Sequence, residues 1–508
     1  MVLGTGSSVG KSVIVAALCR RLARSGVRVA PFKAQNMSLN SAATPEGLEI
    51  GRAQALQAQA AGIAPSADHN PVLIKPTSDT GAQVVVGGRI WGKLSAADYG
   101  GTTKRLFWPF VVAAYERLAA NYDVVVIEGA GSPAEINLRA GDIVNMAVAH
   151  ETDARCVLVG DIDRGGVFAS IFGTLALLDE ADRARIDGWI INKFRGDLEL
   201  LRPGISMLEE RTGKPCYGVV PHLGSLGLDE EDGVALDDPR RRSPWWKSRA
   251  EALLRVAVVR LPHLANFTDF DALCEEPSVD VRYVAGAHDV NGADVVILPG
   301  SKDTIADLRW LRERALWDSV AVAARDRIVV GVCAGMQLLG RRIEDPLDIE
   351  SGGSHAALGI LDLVTTLATE KVTVPVNGRV IAAQLCGSAA AQTEFEGYEI
   401  HTGVTEYGTN AVPFASILRS GESESRRDGA IARDGRVIGT YVHGIFADDA
   451  FRHAFLQAAR AAAGLRPANS LAFVAADRLR RLDRLADAVA ASVNLEALFP
   501  ELRAAAAR

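Results

Sequence analysis

Cysteine is scarce in this chain. Cys19, Cys156, Cys216, Cys274, Cys333 and Cys386 are spread over 508 residues without a C-x-x-C pair. That scatter excludes a disulfide scaffold and a zinc ribbon. Positive charge is not in excess either: 55 Lys and Arg against 62 Asp and Glu leave a formal net charge of −7, so no electrostatic footprint for nucleic acid exists. No apolar run reaches transmembrane length and no charged-then-apolar signal opens the chain, which predicts a cytoplasmic protein with no membrane partner. Aromatic residues make up only 6%, but hydrophobic residues at 48% supply ample material for buried sheets. No internal repeat or low-complexity segment stands out, and the length predicts two to four domains.

The most informative stretch is LGTGSSVGKS, Leu3 to Ser12. It reads as a strand end, a glycine-rich turn and a helix start, the helix running from Lys11 to Arg24 and stopped by Gly26. In such a loop backbone N–H groups wrap phosphates, Lys11 reaches the terminal phosphates, and the Ser12 hydroxyl can ligand Mg²⁺. A strict phosphate loop has glycine five residues before Gly10; here Thr5 stands there, with Gly4 one step earlier and Gly6 one step later. This displaced pattern resembles the loop of dethiobiotin synthetase, whose relatives use ATP to activate carboxylates. Switch ATPases of the same superfamily usually carry a second lysine inside the loop, and positions 4 to 9 contain none.

Runs at Val27 to Phe32, Val124 to Ile127, Cys156 to Val159, Trp189 to Ile191 and Tyr217 to Val220 are mostly apolar on both faces. That is the mark of parallel strands covered by helices, and it predicts a doubly wound α/β sheet. Residues 239–252, which take in most of the polar, proline-bearing DDPRRRSPWWKSR, are expected to be a linker between a domain over 1–238 and a second α/β domain over 253–465. Strand-like runs resume at Leu254 to Leu261, Val279 to Val284, Val295 to Leu298 and Ile328 to Val332. Residues 466–508 are expected to be a helical tail, with Leu479, Leu482, Leu485 and Val489 as an apolar stripe and Arg478, Arg480, Arg481 and Arg484 on a solvated face.

In the first half, Glu128 ends the strand-like run VVVI within a glycine turn, where it could hold Mg²⁺ opposite Ser12; a surface turn is the plain alternative. Glu49 is a second metal candidate. Lys33 follows the second strand, where a positive charge could stabilise a transferring phosphoryl group. Asp161, Asp163 and Arg164 lie at another strand's carboxyl end beside a Gly-Gly turn and are candidates for the substrate side. Asn192 ends the next strand as an adenine reader or a turn cap.

In the second half, GVCAG (331 to 335) between a strand-like run and a helical stretch is a cysteine nucleophile elbow, which presents Cys333 at a helix N-terminus. His443 in GTYVHGIF is the candidate base, with His401 in GYEIHTG as runner-up. The N–H groups of Gly300, in LPGS, and of Ala334 are candidates for an oxyanion hole.

Taken together, the chain resembles the cobyric acid synthases, the CobQ-type glutamine-dependent amidases of cobalamin biosynthesis. The resemblance is carried by the phosphate loop, PFKAQNMSLNS, GRAQ, NPVLIKPTSD, EGAGSPAEINLR, DIDRGGVFASIFGT, INKFRGD, LPGSKDT, GVCAGMQLLG, GYEIHTG and GTYVHGIF, in that order. It implies an N-terminal dethiobiotin synthetase-like nucleotide-binding domain and a C-terminal class I glutamine amidotransferase domain. The implied activity is ATP-, Mg²⁺- and L-glutamine-dependent amidation of the b, d, e and g carboxylates of adenosylcobyrinic acid a,c-diamide. Glutamine would be hydrolysed through Cys333 and His443, and the ammonia would displace phosphate from an acyl phosphate made in the first domain.

Three positions depart from the family pattern. Ser8 stands where an acidic residue is usual, the strand before the loop is a stub, so that a start further upstream is the alternative, and Ile445 replaces the glutamate that most class I amidotransferases place two residues after the histidine. The last departure predicts a Cys–His dyad. Two rivals are the synthase that amidates the a and c carboxylates, and an ATPase switch with an inactive amidotransferase domain.

Overall fold

The computed structural model describes residues 1–77, 81–95, 103–224, 227–228, 253–468 and 470–499. The expected linker 239–252, the end of the expected tail and Ser78 and Asp79 of KPTSD lie outside the described residues. Two compact units emerge. The first holds the described residues within Met1–Ser38, Leu48–Glu231 and Arg478–Arg508; the second holds Leu39–Gly47 and the described residues within Asp232–Asp477.

In the first unit Val2–Gly4, Cys156–Asp161, Ile186–Phe194 and Cys216–Pro221 lie side by side in that order, all parallel. Val29–Phe32 pairs in parallel with Val124–Ile127, and a bridge from Glu128 to Val2 joins that pair to the sheet. The short first strand is therefore paired on both sides. Along the sheet, side chains alternate between two cores, as period-2 strands must. Val2, Val157, Val159 and Ile190 pack with Ile14, Leu18 and Leu22 of the helix Lys11–Arg24, whereas Leu3, Leu158, Trp189 and Ile191 pack with Ile171, Leu175 and Leu208. Helices on both faces explain why these strands read as continuous apolar runs.

Two features were not anticipated. A separate four-stranded sheet is built from Gln35–Met37, Val72–Pro76, Gly81–Val86 and Arg89–Ser95, antiparallel except for its first pair. The expected tail from Arg478 onward packs into the first unit: Leu482, Leu485 and Val489 join the core around the helix Lys11–Arg24, while Arg20–Asp483 and Arg24–Asp487 ion pairs flank it at 2.8 and 2.6 Å. Leu479, expected in that stripe, is 46% exposed, and buried Ala486 lies on the packed face instead.

The second unit is organised on the parallel order Val279–Val284, Leu254–Val259, Val295–Leu298, Ile328–Val332, Val437–Thr440. Antiparallel strands Arg426–Ala432, Val412–Arg419 and Leu363–Val380 extend it, the last also pairing with Glu394–Tyr407. Ile328–Val332 lies inside the sheet, paired in parallel on both sides with Val295–Leu298 and Val437–Thr440, and is wholly buried.

Candidate active sites

In the first unit the strand Val2–Gly4 runs into the loop and the helix begins at Lys11, as expected. Two glycines are dictated by space. Gly10 has φ +99°, and a Cβ there would lie 2.2 Å from Asn192 Nδ2; a Cβ on Gly4 would lie 2.8 Å from Lys11 Nζ. Thr5 N–H donates to Val159 O at 2.9 Å, tying the loop to the neighbouring strand. Lys11 Nζ, almost fully buried, donates to Gly6 O at 2.8 Å and Gly131 O at 3.0 Å.

Glu128 is the hub of this site. Ser12 Oγ donates to its Oε1 at 2.8 Å, Lys33 Nζ lies 2.9 Å from the same oxygen, and Gln57 Nε2 donates to Oε2 at 2.5 Å. The carboxylate is 1% exposed, so the plain reading of a surface turn does not hold. Of the two carboxylates expected at a metal, Glu128 is the one Ser12 meets; Glu49 has the buried Lys75 as its partner at 2.7 Å. A hydroxyl and a carboxylate form a hard, all-oxygen donor set that suits Mg²⁺, whose remaining positions phosphate oxygens and water normally fill.

Asn192 donates through Nδ2 to Val9 O at 2.8 Å and so props the loop. Beside it Lys193, with φ +62°, donates to Ser8 O and lies on Asp161 Oδ2, each at 2.8 Å. Asp161 is thereby linked to the loop at Ser8. Asp163 pairs with Arg195 at 3.0 Å, and Arg164 is exposed with no partner among the described residues. Sequence reasoning missed Gln57 and Lys193. A signal for the first existed, because Gln54 and Gln57 are polar residues on the buried face of the helix Arg52–Ala61.

In the second unit Cys333 ends the strand Ile328–Val332 with φ +52° and ψ −109°, a backbone conformation few side chains tolerate, and caps the helix Ala334–Leu339. The flanking glycines allow the turn: a Cβ on Gly331 would sit 2.5 Å from Gly335 O, and one on Gly335 only 1.9 Å from Leu298 O. Cys333 Sγ donates to Ile400 O at 3.6 Å and lies near enough to His443 to act on the charge of the imidazole. A Cβ on Gly300 would lie 3.0 Å from His443 Cε1, so the LPGS turn passes beside the imidazole. Neither the Gly300 nor the Ala334 N–H donates to a protein acceptor among the described residues.

The expected dyad is corrected by the geometry. His443 Nδ1 lies 2.7 Å from Asp269 Oδ2, forming a Cys–His–Asp line. Asp269 Oδ1 accepts from Gly444 N–H at 3.0 Å and Tyr398 O–H at 3.5 Å, and the Tyr398 ring stacks on the imidazole. The acid comes from the turn Phe267–Phe270, 174 residues before the histidine, while Ile445 is buried in the core. Its signal in the sequence was a carboxylate set between Phe267 and Phe270 in ANFTDF. Burial pushes the His443 pKa down, but the charges of Asp269 and Cys333 and their hydrogen bonds prevail and raise it to about 10. At neutral pH His443 therefore carries its proton.

His401 is no free base: its ring nitrogens lie 2.8 Å from Gly403 O and 3.3 Å from Glu399 Oε1, and it stacks on Tyr441. Burial raises the Glu399 pKa, but hydrogen bonds from His401 and Arg419 outweigh it and hold the carboxyl at about 2. Glu399 and Arg419 thus form a charged pair, and Ile400 and His401 follow Glu399 along the strand Glu394–Tyr407.

Replacing Asp269 by Asn should cut ammonia release from glutamine by about 10²-fold, because the amide keeps the shape but loses the charge that orients and protonates His443. The sign follows from the raised pKa: the imidazolium is lost as pH rises through about 10, so the variant should lose activity at lower pH than the parent. An unchanged rate and alkaline limb would remove Asp269 from the site.

Residues 1–234 match the family model of the CobQ/CobB/MinD/ParA nucleotide binding domain, and residues 255–451 that of the CobB/CobQ-like glutamine amidotransferase domain. The chain is 49% identical to a cobyric acid synthase of Desulforudis audaxviator over 501 residues, 98% of each chain. It is 48% identical to one of Citrobacter koseri and 45% to one of Clostridium acetobutylicum, each covering 98% of this chain and 97% of the relative. The chain belongs to the cobyric acid synthase family. As an enzyme of this family it has a nucleotide-binding half that contains Lys11, Ser12 and Glu128, and an amidotransferase half that contains Cys333, His443 and Asp269. Among the described residues no helix is long and apolar enough to cross a membrane.

Proposed function

We propose that this enzyme converts adenosylcobyrinic acid a,c-diamide to adenosylcobyric acid in the cytoplasm, amidating the b, d, e and g carboxylates with ATP, Mg²⁺ and L-glutamine, as a step of cobalamin biosynthesis. The observation that carries this reading is the 45–49% identity to cobyric acid synthases over 98% of the chain.

The glutaminase step belongs to the second unit. The Cys333 thiolate attacks the glutamine carboxamide carbon, and the Gly300 and Ala334 N–H groups receive the developing oxyanion. His443, protonated and held by Asp269, delivers its proton to the departing nitrogen, so ammonia leaves and a thioester remains. The same imidazole then takes a proton from water, whose attack on the thioester expels the thiolate, restores the thiolate–imidazolium pair and releases glutamate, its carboxyl proton passing to solvent.

The synthetase step belongs to the first unit. A carboxylate is a poor electrophile until its oxygen becomes part of a leaving group. Transfer of the terminal phosphoryl group of ATP to a corrin carboxylate gives an acyl phosphate and ADP, and ammonia then displaces phosphate to leave the amide. Lys11 and Lys33 would face the phosphates, the loop N–H groups from Gly4 to Gly10 would wrap them, and Asn192 would hold that loop in shape. Ser12 and Glu128 would hold Mg²⁺, which supplies charge neutralisation at the phosphates when bound. Lys33 Nζ, 2.9 Å from Glu128 Oε1, ties the phosphate-facing lysine to the carboxylate that would hold the cation. Arg164, exposed beside Asp161 and Asp163, would meet the anionic corrin side chains.

Mass spectrometry of the product tests this. With ATP, Mg²⁺ and glutamine the a,c-diamide should gain four amides. Amidation of cobyrinic acid at two positions, with the diamide left untouched, would assign the chain to the a,c-diamide reaction. No glutamine turnover at all would assign it to a switch with an inactive amidotransferase half.

A further inference from the structure

The chain leaves its first unit after Ser38 and returns to it at Leu48, and the nine residues between, Leu39–Gly47, belong to the second unit. Both ends are anchored within the first unit, Ser38 N–H donating to Ile74 O and Glu49 N–H to Gly88 O, each at 3.0 Å. Within the second unit this strap makes a reciprocal pair of side-chain to backbone bonds. Phe267 N–H donates to Asn40 Oδ1 at 3.1 Å, and Ser41 N–H donates to Asn266 Oδ1 at 2.9 Å. Asn40, Ser41 and Asn266 are all at most 3% exposed. Farther along, a Cβ on Gly47 would come within 2.9 Å of Thr373 O, so the strap lies flush on the strand Leu363–Val380.

The clamped residues open the turn that carries Asp269. Asn266 takes a left-handed backbone, φ +53°, and its Nδ2 lies 3.4 Å from His443 Nδ1, the nitrogen that Asp269 also faces. Buried N–H groups demand acceptors, so loss of Asn40 Oδ1 forces Phe267 to find another geometry and takes Asp269, two residues on, with it. We propose that Asn40 is a positioning residue for glutamine hydrolysis, and that the strap Leu39–Gly47 must be seated for Asp269 to aim at His443. A segment that lies in sequence between Lys33 and Glu49 of the nucleotide-binding half thereby governs the glutaminase. The proposal rests on the reading of Cys333 and His443 as the glutaminase pair.

The test uses the full chain and measures ammonia release from glutamine, its KM for glutamine, and ATP-dependent amidation supplied with ammonium salt. Asn40→Ala should lower glutaminase kcat by about 10²-fold, the scale of a misplacement of about 1 Å in a catalytic group, with KM little changed because Asn40 lies behind the acid. Asn40→Asp keeps an acceptor for Phe267 N–H and should recover most of the loss. Ammonium-supported amidation should stay at the parent level in both. A parent-like glutaminase kcat in Asn40→Ala, an Asn40→Asp variant as impaired as the alanine, or equal loss with both nitrogen sources would each overturn the proposal. Should Asn40→Ala not fold, Asn266→Gly, which preserves the left-handed backbone and deletes the acceptor for Ser41, is held to the same kcat criterion. A parent enzyme that releases no ammonia, or releases it equally after Cys333→Ala, refutes the underlying glutaminase assignment instead.

Discussion

Cys333→Ala should abolish glutamine-supported amidation and leave ammonium-supported amidation intact. No other group replaces the thiolate that attacks the carboxamide: His443 is on Cys333, but its Nδ1 is committed to Asp269, and His401 is committed to Gly403 and Glu399. The substitution is small and lies where alanine removes rather than adds atoms, although position 333 keeps its positive φ. The nucleotide site is in the other unit and shares none of these residues. The assay is amide formation with glutamine and, separately, with a high concentration of ammonium salt. Should a folded Cys333→Ala protein lose both activities equally, the cysteine would have to act in the synthetase chemistry, and the division of labour proposed above would fall.

Lys11→Ala should produce the complementary pattern, failing with either nitrogen source while still hydrolysing glutamine. In the structure the ammonium is buried and held by the Gly6 and Gly131 carbonyls, an arrangement that keeps a charge at the loop mouth ready for phosphate oxygens. Its loss deletes a stabiliser of the transferring phosphoryl group, so amidation should fall by at least ~10²-fold. Lys33 does not substitute, because its Nζ stands beside Glu128 Oε1, 2.9 Å away, and not at the Gly6 and Gly131 carbonyls that place the Lys11 ammonium. Near-parental amidation by this variant would remove the loop from the chemistry.

Much of the molecule is legible along the chain because the responsible constraints are local. Val124–Ile127, Val295–Leu298 and Ile328–Val332 have the bounds their apolar runs predict, since a strand covered on both faces must be apolar on both. The loop at Gly4 and Gly10 and the elbow at Gly331 and Gly335 are legible for a similar reason: a Cβ at any of them collides with a neighbour, and the need for glycine is stamped on the positions themselves. Lys11, Ser12, Cys333 and His443 sit at fixed offsets from those glycines and strands.

What remained hidden depends on which distant segments meet. Ile445 in place of glutamate suggested a dyad, yet Asp269 arrives at His443 from a turn 174 residues away, and nothing near the histidine specifies it. Lys193 reaches both Ser8 and Asp161 because neighbouring parallel strands bring their carboxyl ends together, an arrangement set by crossover order. Leu482 and Leu485 look like one side of any amphipathic helix until the sheet shows which core they close. Asn40 is the clearest case. In the chain it is a polar residue in a polar phrase; folded, its one carbonyl oxygen accepts from Phe267, because the strap leaves one unit, crosses the turn of Asp269 and returns. Local patterns record what a backbone position can tolerate, whereas a hydrogen bond between residues 40 and 267 exists only once the whole chain has placed them side by side.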